Sequence, residues 1–161
     1  MQKIIKNGAI VDCNLNWIKD ADSFSPSDQD NAIVPLSCWL DELLDTTRVA
    51  GIWLDSEENT SSLADKDLSS LSVIGVYFPA FADGRGFSHA RLLRERLNYQ
   101  GEVRALGHFI PDQLGYLLRV GFTAFQFDET VNIEKALELH KPFSVAYQGD
   151  VADPRPIFLR R

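Results

Sequence analysis

Between Val49 and His140 the chain changes its hydrophobic period several times, and that alternation constrains the fold more than any other feature. Short apolar runs, Val49–Leu54, Val73–Phe78, Glu102–Leu106 and Thr123–Phe127, read as strands. Each is followed by apolar residues at helical spacing: Leu63, Leu68 and Leu71; then Ala90, Leu93 and Leu97; then Leu114, Leu117 and Leu118; then Ile133 to His140, ended before Pro142. Four successive strand–helix units predict an α/β fold on a parallel sheet, because each crossover returns the chain to the same starting edge. Four strands fall short of the eight that close a barrel, so the sheet is expected to be open or half-barrel-like.

The flanks add smaller pieces. Asn7-Gly8 between the apolar pairs Ile4-Ile5 and Ile10-Val11 predicts an N-terminal β-hairpin, since both turn residues tolerate positive φ. Residues 14–31, rich in Asp, Ser, Asn and Gln, read as a mobile loop. Pro35 is suited to the first position of a helix whose apolar face carries Leu36, Trp39, Leu40, Leu43 and Leu44. Gly121-Phe122 has the form of a helix stop, with a left-handed glycine and an apolar residue folding back. Residues 149–161, with Pro154 and Pro156, read as an extended C-terminal arm whose Ile157-Phe158-Leu159 docks on this or another subunit. A length of 161 residues, 45% hydrophobic, fits a single domain over 1–161.

Charge narrows the partners. With 23 acidic against 16 basic residues the net charge is -7, which repels nucleic acid and anionic lipid surfaces. No apolar stretch approaches the roughly 20 residues that span a bilayer, and no signal-peptide core is visible, so a cytoplasmic protein is expected. The two cysteines, Cys13 and Cys38, make neither a Cys-x-x-Cys pair nor a metal-ligand spacing, and no metal site is predicted. Gly84-x-Gly86 lacks the third glycine of the dinucleotide fingerprint, so the sequence supports no cofactor.

In parallel α/β folds ligands bind beyond the carboxyl ends of the strands, where helix N-termini converge. The loops expected there hold Asp55, Glu57 and Glu58; Asp83-Gly84-Arg85-Gly86; Gly107-His108 with Asp112; and Asp128-Glu129. Asp83, Gly84, Arg85, Gly86 and Arg94 form the candidate anion or partner site. His108, Asp83 and Asp112 are the candidates for moving a proton. The plainer reading is that Asp83 caps a turn and pairs with Arg85. Helical geometry makes Arg94 half-buried and in need of an acidic partner such as Asp83 or Asp112, and pairs Arg91 with Glu95 on the exposed face. Arg96 and Arg104 read as surface charges rather than ligands. A sheet with open edges also suggests a homodimer.

The run Phe81-x-Asp83-Gly84-Arg85-Gly86-Phe87-Ser88-x-Ala90-Arg91-Leu92-Leu93-Arg94-Glu95-Arg96-Leu97, with Gly101–Gly107, Asp112-Gln113-Leu114, Gly121-Phe122-x-Ala124-Phe125 and Phe143-Ser144-x-x-Tyr147-Gln148, resembles the bacterial domain-of-unknown-function family 934. The likeness extends from about Val34 to Gln148. The resemblance implies an oxidoreductase label and genes lying beside those of assimilatory sulfite reduction. It carries no established active site. Ala80 and Ala82 stand where that family often has charge, and His108-Phe109-Ile110-Pro111 replaces a more aliphatic loop. Two functions are therefore expected. One is an accessory protein of sulfite or sulfate reduction that binds a pathway enzyme or a small oxyanion. The other is an enzyme, in one form an oxidoreductase, acting on a small anionic metabolite. Electron transfer is a third reading, without cluster-ligating cysteines to support it.

Overall fold

A computed structural model describes residues 2–24, 30–40, 48–141 and 145–160. Its centre is one eight-stranded sheet, curled into a half-barrel, with strand order β2-β1-β8-β7-β6-β5-β4-β3. The strands are β1 (Gln2–Lys6), β2 (Ala9–Cys13), β3 (Asn16–Trp17), β4 (Ala32–Pro35), β5 (Gly51–Leu54), β6 (Val73–Phe78), β7 (Glu102–Gly107) and β8 (Ala124–Gln126). β3 to β8 run parallel in chain order, and β1 joins β8 antiparallel, bringing the hairpin in as the sheet's edge.

The sheet is therefore mixed, which corrects the purely parallel expectation. The hairpin itself forms as the sequence predicts, with Asn7 at φ 50 and Gly8 at φ 80 in the turn. It is not a separate ornament, because Ile5 and Lys6 pair with Phe125 and Ala124.

The helices are α1 (Leu36–Trp39), α2 (Arg85–Glu95), α3 (Leu114–Val120) and α4 (Ile133–Leu139). Four uniform strand–helix units are not what forms. After β5 the crossover is a 3-10 turn, Thr60–Leu63, and Leu68 and Leu71 bury themselves from irregular chain. Pro35 is the last residue of β4 and caps α1 from outside, rather than occupying its first turn. Leu43 and Leu44 lie outside the described residues. In the stretch 14–31, expected as loop, Asn16 and Trp17 pair with Ala32 and Ile33 as an added edge strand, and Ala21–Ser23 forms a 3-10 turn.

Strand alternation divides the interior into two faces. On the convex, helix-covered side Ile52, Leu54, Ile74, Val76, Phe78, Val103, Ala105 and Phe125 pack with Leu93, Leu114, Leu117 and Ala136 into the main core. Phe78 is its aromatic hub, with Phe87, Phe109 and Phe122 at centroid distances of 5.5, 5.9 and 5.9 Å. Gly86 lets α2 lie against that hub, since a Cβ there would stand 2.7 Å from the Phe78 ring. The concave side holds a second cluster of Ile33, Trp53, Val73 and Leu106, with Leu15, Trp17 and Tyr77 packed against it.

Between them the concave face buries charge. Arg104 is 2% exposed; its Nε donates to Glu102 Oε1 at 2.6 Å and its Nη1 to Gln126 Oε1 at 3.1 Å and Cys13 Sγ at 3.2 Å. Lys6 Nζ lies 2.7 Å from Glu102 Oε2. Arg104 is thus no surface charge. It stands on a strand with paired neighbours on both sides, in the middle of a polar layer that runs from Lys6 up to Gln126 and Gln2.

Helix ends behave as the sequence indicates. Gly121 takes φ 111, its N–H bonds Leu118 O, and the Phe122 N–H bonds Leu117 O, which is the two-bond stop expected of this pair. Arg91 and Glu95 pair at 2.9 Å on the exposed side of α2. Arg94 is half-buried but finds no carboxylate among the described residues. It donates to Gly121 O at 3.0 Å, Tyr99 O at 2.6 Å and Gly101 O at 2.8 Å, so three carbonyl dipoles replace the expected acid, and burial lowers its pKa. Replacing Arg94 by Met keeps the stem and orphans these carbonyls. We expect a loss of about 1–2 kcal/mol in chemical denaturation, and an unchanged midpoint would show that solvent satisfies them equally well.

The C-terminal stretch is not an extended arm. The Val151 N–H bonds Arg119 O, and Arg160 donates to Arg155 O, Asp153 O and Gln148 O, folding the segment onto the end of α3. Ile157–Leu159 forms a 3-10 turn whose Ile157 N–H bonds Tyr147 O at 3.1 Å, while the Phe158 and Leu159 side chains stay exposed.

Candidate functional site

At the carboxyl ends of the parallel strands the concave face opens into a cleft of about 550 Å³. Each strand delivers one part. Trp53 and Asp55 come from the end of β5, Tyr77 from β6, Gly107 and His108 from β7, and Gln126 to Glu129 from β8. Gln2, Trp17 and Lys19 close it from β1 and β3.

One wall is aromatic. Trp17, Trp53 and Tyr77 stand with ring centroids 5.7 to 6.3 Å apart in tilted and edge-on arrangements. Trp53 is fixed by its indole N–H to Ile18 O at 2.8 Å, whereas the Trp17 Nε1 is buried without an acceptor among the described residues. Lys19 Nζ sits 4.8 Å from the centre of the Trp17 ring. His108, 58% exposed, also lines the cleft, with Nδ1 4.0 Å from Asp128 Oδ2. The Thr130 N–H bonded to Asp128 Oδ1 holds that carboxyl below its usual value, with His108 and Lys19 adding to the effect. His108 is aimed by its neighbour. Gly107 has φ 93, which turns the chain so that the His108 N–H reaches Phe78 O at 2.8 Å.

The floor is amide. Gln126 accepts from Arg104 through Oε1, which leaves Nε2 as the donor to Gln2 Oε1 at 2.9 Å. Gln2 in turn directs Nε2 toward Phe127 O at 3.4 Å.

The residues singled out from the sequence separate into two places. His108 lines the cleft, and so do Asp55, Asp128 and Glu129 from the other strand-end loops. Asp83, Gly84, Arg85 and Gly86 do not line it, nor does Asp112, which is exposed on the 3-10 turn before α3. Arg85 places Nε and Nη2 on the two Asp83 oxygens at 2.6 to 3.2 Å, and its Nη1 lies 3.5 Å from Glu57. That pairing pulls the Asp83 carboxyl well below the usual carboxylate range and raises the guanidinium. Gly84, at φ -85 and ψ -3, adopts a conformation open to any residue. Behind this loop, buried His89 is 2.6 Å from Thr60 Oγ1 and 3.4 Å from Ser56 O through its two ring nitrogens, tying the β5 loop to α2.

Gln2, Trp17, Lys19, Trp53, Tyr77 and Gln126 are missed by a reading confined to loops. The signal for Trp53, Tyr77 and Gln126 was their strand parity: each is the last concave-facing residue of a strand.

Fold and site together define an α/β half-barrel protein with a cleft at the carboxyl ends of its parallel strands. The chain belongs to the family described as "Bacterial protein of unknown function (DUF934)", which it matches over residues 51–158. Trp53, Asp55, Tyr77, His108, Gln126 and Asp128 fall inside the matched segment, and Gln2, Trp17 and Lys19 precede it. No curated protein and no solved structure matches the chain.

Proposed function

We propose that this chain is an accessory protein of assimilatory sulfite or sulfate reduction that docks a pathway enzyme on the face formed by its strand carboxyl ends. The pathway comes from the family resemblance. The observation that carries the docking mode is charge. The cleft and the recess beside it are lined by Asp20, Asp55, Glu57, Glu58, Asp128 and Glu129, with Lys19 as the single Lys or Arg among their lining residues. Such a face attracts a basic surface and speeds its encounter, while it repels a small oxyanion. Arg85 offers an oxyanion little, because two carboxylates already occupy it.

Immobilised sulfite reductase components should retain the chain at about 20 mM salt and release it by about 300 mM, as screening shortens the reach of these charges. Reversing charge with Asp128→Lys and Glu129→Lys should abolish retention. No retention of the wild-type chain at low salt, or retention indifferent to the reversal, overturns this docking mode.

One observation favours the second reading, an enzyme acting on a small metabolite. His108 and Asp128 form an acid–base pair 4.0 Å apart, in the cleft that the aromatic side chains also line. In that case His108→Gln, at an exposed position, leaves folding intact and abolishes growth of a deletion strain on sulfate. Full complementation by a folded His108→Gln variant removes the reading.

A further inference from the structure

We infer that the half-barrel cleft binds a small organic cation that also carries an oxygen acceptor, the chemistry of a basic amino acid. This rests on the cleft being the working site and adds the class of ligand. Three observations converge on it.

The rim is an acceptor surface. Asp55, Asp128 and Glu129 line the cleft, and Lys19 is the one Lys or Arg among the described lining residues, so the cleft favours positive charge over negative. The aromatic wall is already used for an ammonium group, since Lys19 Nζ lies over Trp17 at 4.8 Å. Cations are drawn to the electron-rich face of an indole, and a ligand cation would compete with Lys19 for the same ring.

The floor has the opposite polarity. Arg104 fixes the Gln126 amide by occupying its oxygen, so the nitrogen is the end turned to Gln2. Each of the two amide nitrogens has a second N–H beyond the one already donated. The Trp17 indole N–H, also at the cleft, is buried with no acceptor among the described residues. Gln126 is buried, as is the Trp17 Nε1, and donors so placed call for an acceptor, so the ligand places oxygen toward the floor and its cationic end toward the rim. A cleft of about 550 Å³ lies within the usual range for small-molecule sites.

The probe is L-arginine, titrated at about 20 mM ionic strength while tryptophan emission and heat are followed. Saturable binding is expected. Lys19→Met removes the internal competitor and one positive charge, and should tighten binding by about threefold to tenfold. Asp128→Asn should weaken it by a similar factor of about threefold to tenfold. Both positions are exposed, so the variants should fold, which circular dichroism checks. 1,4-Diaminobutane, a cation without the acceptor, should bind more weakly than L-arginine; equal affinity overturns the acceptor half of the inference. Sulfite and sulfate should give no saturable signal.

Absence of saturation by L-arginine, or binding unchanged in both variants, overturns the assignment. So does sulfite binding that Lys19→Met weakens, because an anion site must respond to that change with the opposite sign. Retention by sulfite reductase with no response to L-arginine defeats this inference alone. Binding of L-arginine without retention defeats the docking proposal and leaves the ligand class standing.

Discussion

Replacing Glu102 by glutamine should cost about 3–5 kcal/mol in urea denaturation, more than replacing Arg104 by methionine. The asymmetry follows from their surroundings. Arg104 has one carboxylate, Glu102, at 2.6 Å; its other partners are the neutral Gln126 amide and the Cys13 thiol. Without Glu102 its charge is buried with no counter-ion. Glu102, by contrast, keeps Lys6 at 2.7 Å when Arg104 is removed. Arg104→Met should therefore cost nearer to about 2–3 kcal/mol, and the double variant less than the two single losses combined, because neither charge is then left alone. Equal midpoints for the two single variants, or either one within about 0.5 kcal/mol of wild type, would show that water reaches the pair and screens it. Arg104→Met also frees the Gln126 amide to rotate, so any ligand held by the cleft floor should be weakened even when the protein is folded.

This pair marks where the sequence is legible and where it is not. The apolar runs of β5 and β6, buried except at Tyr77, announce themselves, because a central parallel strand largely excludes water on both faces and selects Val, Ile and Leu. β7 reads differently. Its Glu102-Val103-Arg104-Ala105-Leu106 alternates polar and apolar, the pattern of a half-exposed strand, and that pattern makes Arg104 look solvated. Yet a third strand in a run of four cannot be an edge, so its polar side chains had to share a buried face with partners from other strands. Those partners, Lys6, Cys13 and Gln126, lie far away in sequence. Arg94 teaches the complementary point. Its half-burial follows from helical spacing, but its partners are main-chain carbonyls at Tyr99, Gly101 and Gly121, which no pattern of side chains reveals.

The candidate site was legible by rule and not by motif. Strand carboxyl ends pointed to the loops of His108 and Asp128, and these do converge in the cleft. The conspicuous Asp83-Gly84-Arg85-Gly86 run instead closes on itself as an ion pair and a capped turn, with the Arg85 N–H on Asp83 Oδ1 at 3.0 Å. Trp17 was hidden in a polar stretch, where Leu15 and Trp17 give only a two-point alternation.

Glycine decides the cleft more sharply at position 107 than anywhere in that run. With φ at 93, Gly107 lies where L-residues are strained, and a Cβ would stand 2.6 Å from Phe78 O and against the Tyr77 ring. Backbone cannot yield to such contact without breaking the bond that the His108 N–H makes to Phe78 O. Gly107→Ala should therefore cost about 3 kcal/mol, combining about 1–3 kcal/mol of backbone strain with the overlap. Its local effect reaches the function: the Tyr77 ring lies against Gly107 and His108 follows it in the chain, so both cleft residues should shift when this position gains a side chain. Gly84→Ala is the matched comparison. Its backbone is already in the right-handed helical region and the nearest atom to a new Cβ is a Phe87 ring carbon at 3.7 Å, so it should be neutral or stabilise by up to about 1 kcal/mol through the unfolded state. Thermal melts of the two variants, with tryptophan emission reporting the state of the cleft, separate the cases. Gly107→Ala melting with wild type would mean that the β7 end relaxes freely, and His108 would then have no fixed place on the cleft wall.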